Sequence, residues 1–80
     1  MSDAIVIQTT RDAVLAAIRE ADRPLTITEI RQRVRNDAGL RMHRSTIGSA
    51  LKRLAAESLA AYDVGEDGLT QRWYKIPDNL

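Results

Sequence analysis

Cationic and small hydroxyl side chains recur along residues 43–58, where Glu57 is the first acidic residue. A helix with about 100° per residue would present on its outer side Ser45, Thr46, Ser49, Lys52 and Arg53. A surface helix that only has to be soluble more often mixes both charge signs on that side. Small hydroxyls between cations let a helix approach phosphates and base edges, because no bulky or anionic group keeps them apart. The pattern is typical of a helix that recognises nucleic acid.

Both the hydroxyls and the glycine of this segment also have a purely structural explanation. Ordinary solvent exposure could account for the hydroxyls. Ser and Thr are mediocre residues for a helix interior, however, so three of them within residues 45–49 favour a role beyond helicity. Gly48 costs about 1 kcal/mol relative to alanine inside a helix. Either it allows close approach to a nucleic-acid backbone, or it allows tight packing against the preceding helix.

Basic residues are concentrated in the middle of the chain. Residues 31–53 contain seven basic side chains against one acid, whereas the remaining 57 residues carry five bases and ten acids. Such segregation indicates a surface that binds a polyanion on an otherwise acidic body. A solvated arginine-rich surface is the alternative, and the coincidence with the hydroxyl-bearing helix argues against it. The seven basic residues are Arg31, Arg33, Arg35, Arg41, Arg44, Lys52 and Arg53.

Two earlier helices must hold this segment in place. The first is predicted to start at Thr9 or Thr10, which are suitable N-cap residues, and to end before Pro24. Residues 1–8 are assigned to an N-terminal arm, whose apolar residues 5–7 pack on the body or meet a partner chain. The side of this helix predicted to be buried contains Val14, Ala17, Ile18 and Ala21.

The second helix has the clearest local signal in the chain. Thr26 and Glu29 form an S/T-x-x-E capping box, and Leu25 and Ile30 have the spacing of a hydrophobic staple. Gly39 can take a positive φ and end the helix. The residues predicted to be buried on this helix are Ile27, Ile30 and Val34.

The last part of the chain changes from helical to extended patterns. Residues 59–64 and 69–76 are enriched in β-branched and aromatic side chains, and the sequence GEDG forms a turn between them. Alternation along the second strand predicts that Trp73 lies in the core. An exposed Tyr62 or Tyr74 would then be free to stack on a partner.

Composition excludes several classes of function. Eighty residues make one small domain, and with no cysteine and a single histidine we expect no disulfide and no metal site. No nucleophile elbow, phosphate-binding loop or metal-ligand spacing occurs, so we expect neither enzymatic activity nor a cofactor. The apolar runs are far shorter than the roughly 18 residues of a membrane span. We therefore expect a cytoplasmic protein without a membrane partner.

The chain places the sequence PLTITEI at the second helix, RSTI at the start of the third, and a hairpin after it. This order resembles a winged helix-turn-helix domain, and residues 44–59 are similar to the recognition helix of bacterial and archaeal transcriptional regulators. The resemblance covers residues 9–76. It implies an α+β fold of three helices with a C-terminal β-hairpin wing at residues 59–76. It also implies that the third helix enters the major groove of double-stranded DNA, the second helix contacts phosphates, and the wing meets the flanking backbone or minor groove.

Carried over position by position, the resemblance assigns a set of DNA-binding residues. The positions that match base and phosphate contacts are Arg44, Ser45, Thr46, Ser49 and Lys52. Those that match phosphate contacts alone are Arg53 and Thr28, and Arg72 matches a contact of the wing. We add Arg31 and Arg41 from the basic segment and His43 from the start of the third helix, where it forms a local cap or contacts a phosphate.

The function implied is that of a small transcriptional regulator associated with the nucleoid. The alternative is a winged-helix module that binds protein as a subunit of a larger assembly. RNA in place of DNA is a third reading that the residues leave open.

Three features depart from the pattern of the family. Ser58 stands where glycine commonly follows the recognition helix, so that turn is expected to be slightly strained or to have a different conformation. Glu66 and Asp67 at the wing tip would be repelled by phosphate, which argues against deep insertion of the wing. The long C-terminal dimerisation helix is missing, so a homodimer would use residues 5–7, the first helix or the hairpin.

Overall fold

The computed structural model describes residues 3–77, and the side chains of residues 10–77. Three helices precede an antiparallel hairpin, which confirms the predicted α+β class. The elements are α1 (Asp3–Glu20), α2 (Ile27–Ala38), α3 (Arg44–Ala56), β1 (Ala60–Val64) and β2 (Gln71–Lys75). Within the described residues, none of these helices is long and apolar enough to cross a bilayer.

α1 starts earlier than the sequence signals suggested. The helix begins at Asp3, so the prediction of an N-cap at Thr9 or Thr10 is wrong, and residues 3–8 of the predicted arm are helical. A hydroxyl cap is worth about 1 kcal/mol, whereas each added residue gains a backbone hydrogen bond once a helix exists. No glycine or proline interrupts residues 3–9, and the helix continues through them. The side chains of residues 5–7, predicted to pack or to meet a partner, lie outside the described ones.

α2 begins and ends where its sequence predicted. Glu29 N donates to Thr26 Oγ1 over 3.2 Å and Thr26 N donates to Glu29 Oε1 over 2.9 Å, which are the two bonds of the capping box. Arg23 Nη2 lies 2.8 Å from Oε2 of the same carboxylate. The hydrogen bond from Arg23 and that from the Thr26 backbone lower the pKa of Glu29 to about 2. Gly39 ends the helix with a φ of 69°.

The three helices share one aliphatic core, and the hairpin closes it on one side. Trp73 is 4% exposed and belongs to this core, as predicted. Leu25, between α1 and α2, exchanges two backbone hydrogen bonds of 2.9 and 2.7 Å with Trp73, and this bridge ties β2 to the helices. Ala21 and Ile27 are partly buried at the edge of the core. The buried residues are Val14, Ala17, Ile18, Leu25, Ile30, Val34, Ile47, Ala50, Leu51, Leu54, Ala60 and Trp73.

The connection from α3 to β1 is a left-handed turn of the Schellman type. Ser58 N donates to Ala55 O over 3.0 Å and Leu59 N donates to Leu54 O over 2.9 Å. Ser58 takes a φ of 61°, a conformation that costs residues other than glycine roughly 1–2 kcal/mol. The strain expected from serine at this position is confirmed.

The hairpin is anchored at its inner end and extends beyond the helices at its tip. The register places Tyr62 opposite Trp73, with their ring centroids 4.7 Å apart and tilted by 43°. Tyr62 nevertheless remains 44% exposed, while Val64 and Leu69, which flank the turn, are 52% and 84% exposed. The wing therefore keeps one aromatic side chain in the core and leaves its apolar tip in solvent.

Candidate nucleic-acid interface

α3 has two sides of opposite character. Its inner side is buried against the core through Ile47, Ala50, Leu51 and Leu54. The outer side exposes every α3 residue that the sequence predicted to bind DNA, namely Arg44, Ser45, Thr46, Ser49, Lys52 and Arg53. The aliphatic stripe thus supplies the packing energy, and the polar side is left for contacts outside the fold.

Gly48 lies on the same helix, and its surroundings distinguish close approach to a nucleic-acid backbone from tight packing against α2. A Cβ built at this position meets no heavy atom within 4 Å. The tight packing against the preceding helix that the sequence left open is therefore excluded. Within residues 3–77 the glycine leaves an open place between the outer side chains of α3, which suits close approach by another molecule.

The acidic residue at the end of α3 is engaged by a cation from α1. Arg11 Nη2 lies 2.7 Å from Glu57 Oε1, and Arg11 Nε donates to the same oxygen over 2.8 Å. This pair fastens the end of α3 to α1, and it offsets the charge of the only acid close to the outer side in sequence.

The basic segment behaves differently, because its charges have no such counterparts. Among the side chains of residues 10–77, none of the seven basic residues in the segment 31–53 lies within 4 Å of a carboxylate. The ion pairs of this part of the chain involve Arg11 and Arg23, which both lie outside that segment. The positive potential of the segment is therefore not cancelled locally.

The start of α3 is held from α2 and not by the side chain of its own cap residue. His43 occupies the N-cap position with an extended backbone, but its side chain makes no capping hydrogen bond. The predicted local cap is therefore wrong, and a phosphate contact by His43 stays a prediction. Arg31 Nε instead donates to the carbonyl of Met42 over 2.8 Å. This bond fixes the turn that leads into α3.

Beside this turn, α2 and the segment before α3 enclose a basic cavity of about 270 Å³, called here the arginine cleft. Three residues of the predicted set, Thr28, Arg31 and Arg41, come together in it. No acidic residue lines the cavity. Its complete lining is Thr28, Arg31, Gln32, Arg35, Leu40, Arg41 and Met42.

Two lining residues, Gln32 and Arg35, were not among the predicted DNA contacts, although Arg35 belongs to the basic segment predicted to bind a polyanion. The signal for them was available, because residues 28, 31, 32 and 35 have the i, i+3, i+4, i+7 spacing of one helix side. These polar residues form one wall of the cavity, and the turn at residues 39–43 forms the other.

The acidic wing tip has an internal explanation. Asp67 accepts hydrogen bonds from the backbone N–H groups of Leu69 and Thr70, both of 2.9 Å, and from the Thr70 hydroxyl. These bonds lower the pKa of Asp67 to about 2, with Thr70 making the largest contributions. Because Asp67 shapes the chain here, β2 begins at Gln71 and not at Leu69 as predicted.

Arg72, the predicted wing contact, lies on the hairpin and away from the cleft lining. It pairs across the sheet with Asp63, and its Nη1 is 2.9 Å from the place where a Cβ on Gly65 would stand. A side chain at residue 65 would displace this guanidinium, so glycine allows Arg72 to lie over the turn. The cation also contributes to lowering the pKa of Asp67. Within residues 3–77 no group of three metal-ligating side chains occurs.

Comparison with known proteins supports the architecture. A PadR-like transcription factor from Bacteroides fragilis, known from its X-ray structure, superposes with a TM-score of 0.74 at 18% sequence identity. The match covers 95% of this chain and 73% of that chain. No family model and no curated protein matches this sequence. The likeness establishes the winged-helix fold of three helices and a two-stranded antiparallel hairpin.

Proposed function

We propose that this chain is a DNA-binding regulator of transcription that inserts α3 into the major groove of a duplex. One observation carries the proposal: the outer side of α3 is exposed, cationic and rich in hydroxyls, while its aliphatic side is buried. The likeness to a PadR-like transcription factor supports it. A duplex is complementary to this surface, because it presents a dense row of anionic phosphates beside the polar edges of the bases.

Sequence readout is assigned to the first two turns of α3. Arg44 carries a guanidinium fork that matches the two acceptors of guanine in the major groove. The short hydroxyls of Ser45, Thr46 and Ser49 can donate to or accept from base edges and phosphates. Gly48 leaves room for the duplex to come close, since nothing occupies the place of its missing side chain.

Phosphate contacts are assigned around this reading surface. Lys52 and Arg53 lie on the exposed outer side of α3, one turn beyond the hydroxyls. The remaining assigned contacts are Thr28, Arg31, Arg41 and His43 at the start of α3, with Arg72 on the wing. Release of counterions by these cations would dominate affinity and make it fall steeply with salt. Association with the nucleoid in the cytoplasm follows from the same contacts.

The test begins with selection of a binding site from a random duplex pool, followed by affinity measurements on that site and on mismatched duplexes. Arg44→Ala should reduce discrimination at one base pair roughly 5- to 150-fold, the 1–3 kcal/mol of a bidentate contact. Arg53→Ala should weaken all duplexes alike and lower the log–log salt slope by about 0.9. Equal effects of both substitutions on every duplex would contradict the assigned roles. A two-fold-symmetric selected site would indicate a homodimer with half-sites about one helical turn apart.

A module that binds protein is the second candidate, and the wing favours it. Its tip combines exposed Val64 and Leu69 with the carboxylates of Glu66 and Asp67, which suits a protein partner better than phosphate. An NMR titration with arbitrary duplex at low salt separates the two functions. Shifts concentrated on α3 support DNA binding, whereas unchanged spectra support the protein-binding module. Titration with single-stranded and double-stranded RNA in parallel decides which nucleic acid is preferred.

A further inference from the structure

The arginine cleft gathers positive charge that nothing in its wall balances. Arg31, Arg35 and Arg41 line it, and no carboxylate does. A guanidinium group cannot lose its proton in a protein, so all three side chains keep their charge, and an anion that enters the cleft meets a positive wall. Elsewhere Arg11 and Arg23 each lie beside a carboxylate. The cleft is thus the place where the fold brings cations together and leaves them unpaired within residues 10–77.

The donors of the cleft match a compact oxyanion, and its dimensions admit one. Its volume of about 270 Å³ equals about nine waters of 30 Å³ each, which is room for one phosphoryl group with part of its hydration shell. Guanidinium forks match the geometry of phosphate oxygens, and the Thr28 hydroxyl and Gln32 amide add neutral donors. Leu40 and Met42 form an apolar part of the wall.

One of the three arginines connects the cleft to α3. Arg31 uses its Nε to hold the Met42 carbonyl at 2.8 Å, and this is one of the five N–H donors of the side chain. Met42 precedes the first residue of α3 by two positions. Because His43 makes no capping hydrogen bond with its side chain, the bond from Arg31 has more weight in placing the helix start. A ligand on the remaining donors of Arg31 would therefore act on the direction of α3.

We propose that the arginine cleft binds one phosphoryl oxyanion, and that the bound anion holds Arg31 against Met42 and thereby fixes the start of α3. The anion offsets the charge of the three guanidinium groups and restricts their motion. The same chemical group has two sources, which are a backbone phosphate of a bound duplex and a free phosphate compound. Anion binding stands independently of DNA, whereas its effect on DNA affinity rests on the proposed function.

The first experiment contains no DNA. Sodium pyrophosphate is titrated into the ¹⁵N-labelled protein while sodium chloride keeps the ionic strength constant. We expect saturable shifts of the amides of residues 28–35 and 40–44. Arg35→Gln, an exposed position whose replacement leaves the core intact, should raise the dissociation constant about tenfold, the worth of one charge-assisted hydrogen bond. Arg33→Gln is the matched control, because Arg33 lies on α2 outside the cleft and should leave the constant unchanged.

The second experiment distinguishes the two sources by measuring duplex affinity with and without pyrophosphate at constant ionic strength. If a duplex phosphate fills the cleft, pyrophosphate raises the apparent dissociation constant of the duplex for the natural chain, and Arg35→Gln needs about tenfold more pyrophosphate for the same rise. If a free compound is the ligand, pyrophosphate leaves duplex affinity unchanged or improves it.

Shifts that fail to saturate in the first experiment, or equal dissociation constants for Arg35→Gln and Arg33→Gln, would overturn the anion site. A chain that binds pyrophosphate in the cleft but no duplex would count against DNA binding alone.

Discussion

The wing differs from α3 and the neighbouring arginine cleft in how its charges are balanced. Asp67 at the wing tip accepts three hydrogen bonds from its own turn, so its carboxylate is explained by folding. The cations of residues 31–53 have no carboxylate within reach among the described side chains, and apart from Arg31, which holds the Met42 carbonyl, folding alone does not explain them. A charge that is satisfied within the fold reports on local structure. A group of like charges that the fold leaves unpaired points to a partner outside it.

The largest expected effect is the loss of duplex affinity when an anion is placed on the outer side of α3. Ser49→Glu puts a carboxylate in the middle of the exposed outer side. Juxtaposed like charges at an interface cost several kcal/mol, so duplex affinity should fall at least about 100-fold at low salt. Fluorescence anisotropy with labelled duplex measures this directly.

The control for this substitution is Ala16→Glu, which adds the same charge at an exposed position of α1. It should reduce duplex affinity far less than Ser49→Glu, because its charge lies on α1 and not on the outer side of α3. An equal loss in both variants would mean that overall charge, and not the α3 surface, controls binding.

A second prediction concerns the wing. The pKa of Asp67 is lowered to about 2, so its stabilisation of the turn is complete above the ordinary value of 3.8. It should be lost as the pH falls from about 4 towards 2. The amide resonances of Leu69 and Thr70 should shift in this range, and Asp67→Asn should abolish the transition at these amides. Glu66→Gln serves as the control and should leave it in place. If Asp67→Asn instead retains the transition, the carboxylate does not organise the turn.

A smaller effect is expected at the junction between the two regions. Ser58→Gly removes the strain of a positive φ at the end of α3. The free energy of unfolding should rise by about 0.5–1 kcal/mol, because the relief exceeds the added chain entropy of glycine. Thermal unfolding should then shift upwards by about 2–8 °C, with duplex affinity unchanged.

Two reference variants check the origin of that gain. Ser58→Ala keeps the strain and should bring no such increase. Gly39→Ala introduces the same strain at the end of α2, where φ is 69° and a Cβ has open space, and should lower stability by about 1 kcal/mol. Stabilisation by alanine at residue 58 would show that the serine hydroxyl, and not the backbone, is responsible.

Local signals in the sequence were sufficient for much of the fold. The capping box of Thr26 and Glu29 and the left-handed end at Gly39 define α2, because both act through neighbouring backbone groups. The aliphatic stripe of α3 was visible for the same reason, since helical spacing alone places those residues on one side. The start of α1 was missed because a good cap residue does not end a helix that other residues continue.

The candidate site also has a part that local sequence patterns predict and a part that depends on how the elements pack. The sequence by itself determined which residues α3 turns outwards, since that depends only on spacing and on which side is apolar. Only the tertiary structure decided that Gln32 and Arg35 share a cavity with Arg41, that Arg31 holds the Met42 carbonyl, and that Arg11 covers Glu57. Each of these contacts joins residues from different elements. Their distances are set by how the helices pack, which no local pattern specifies.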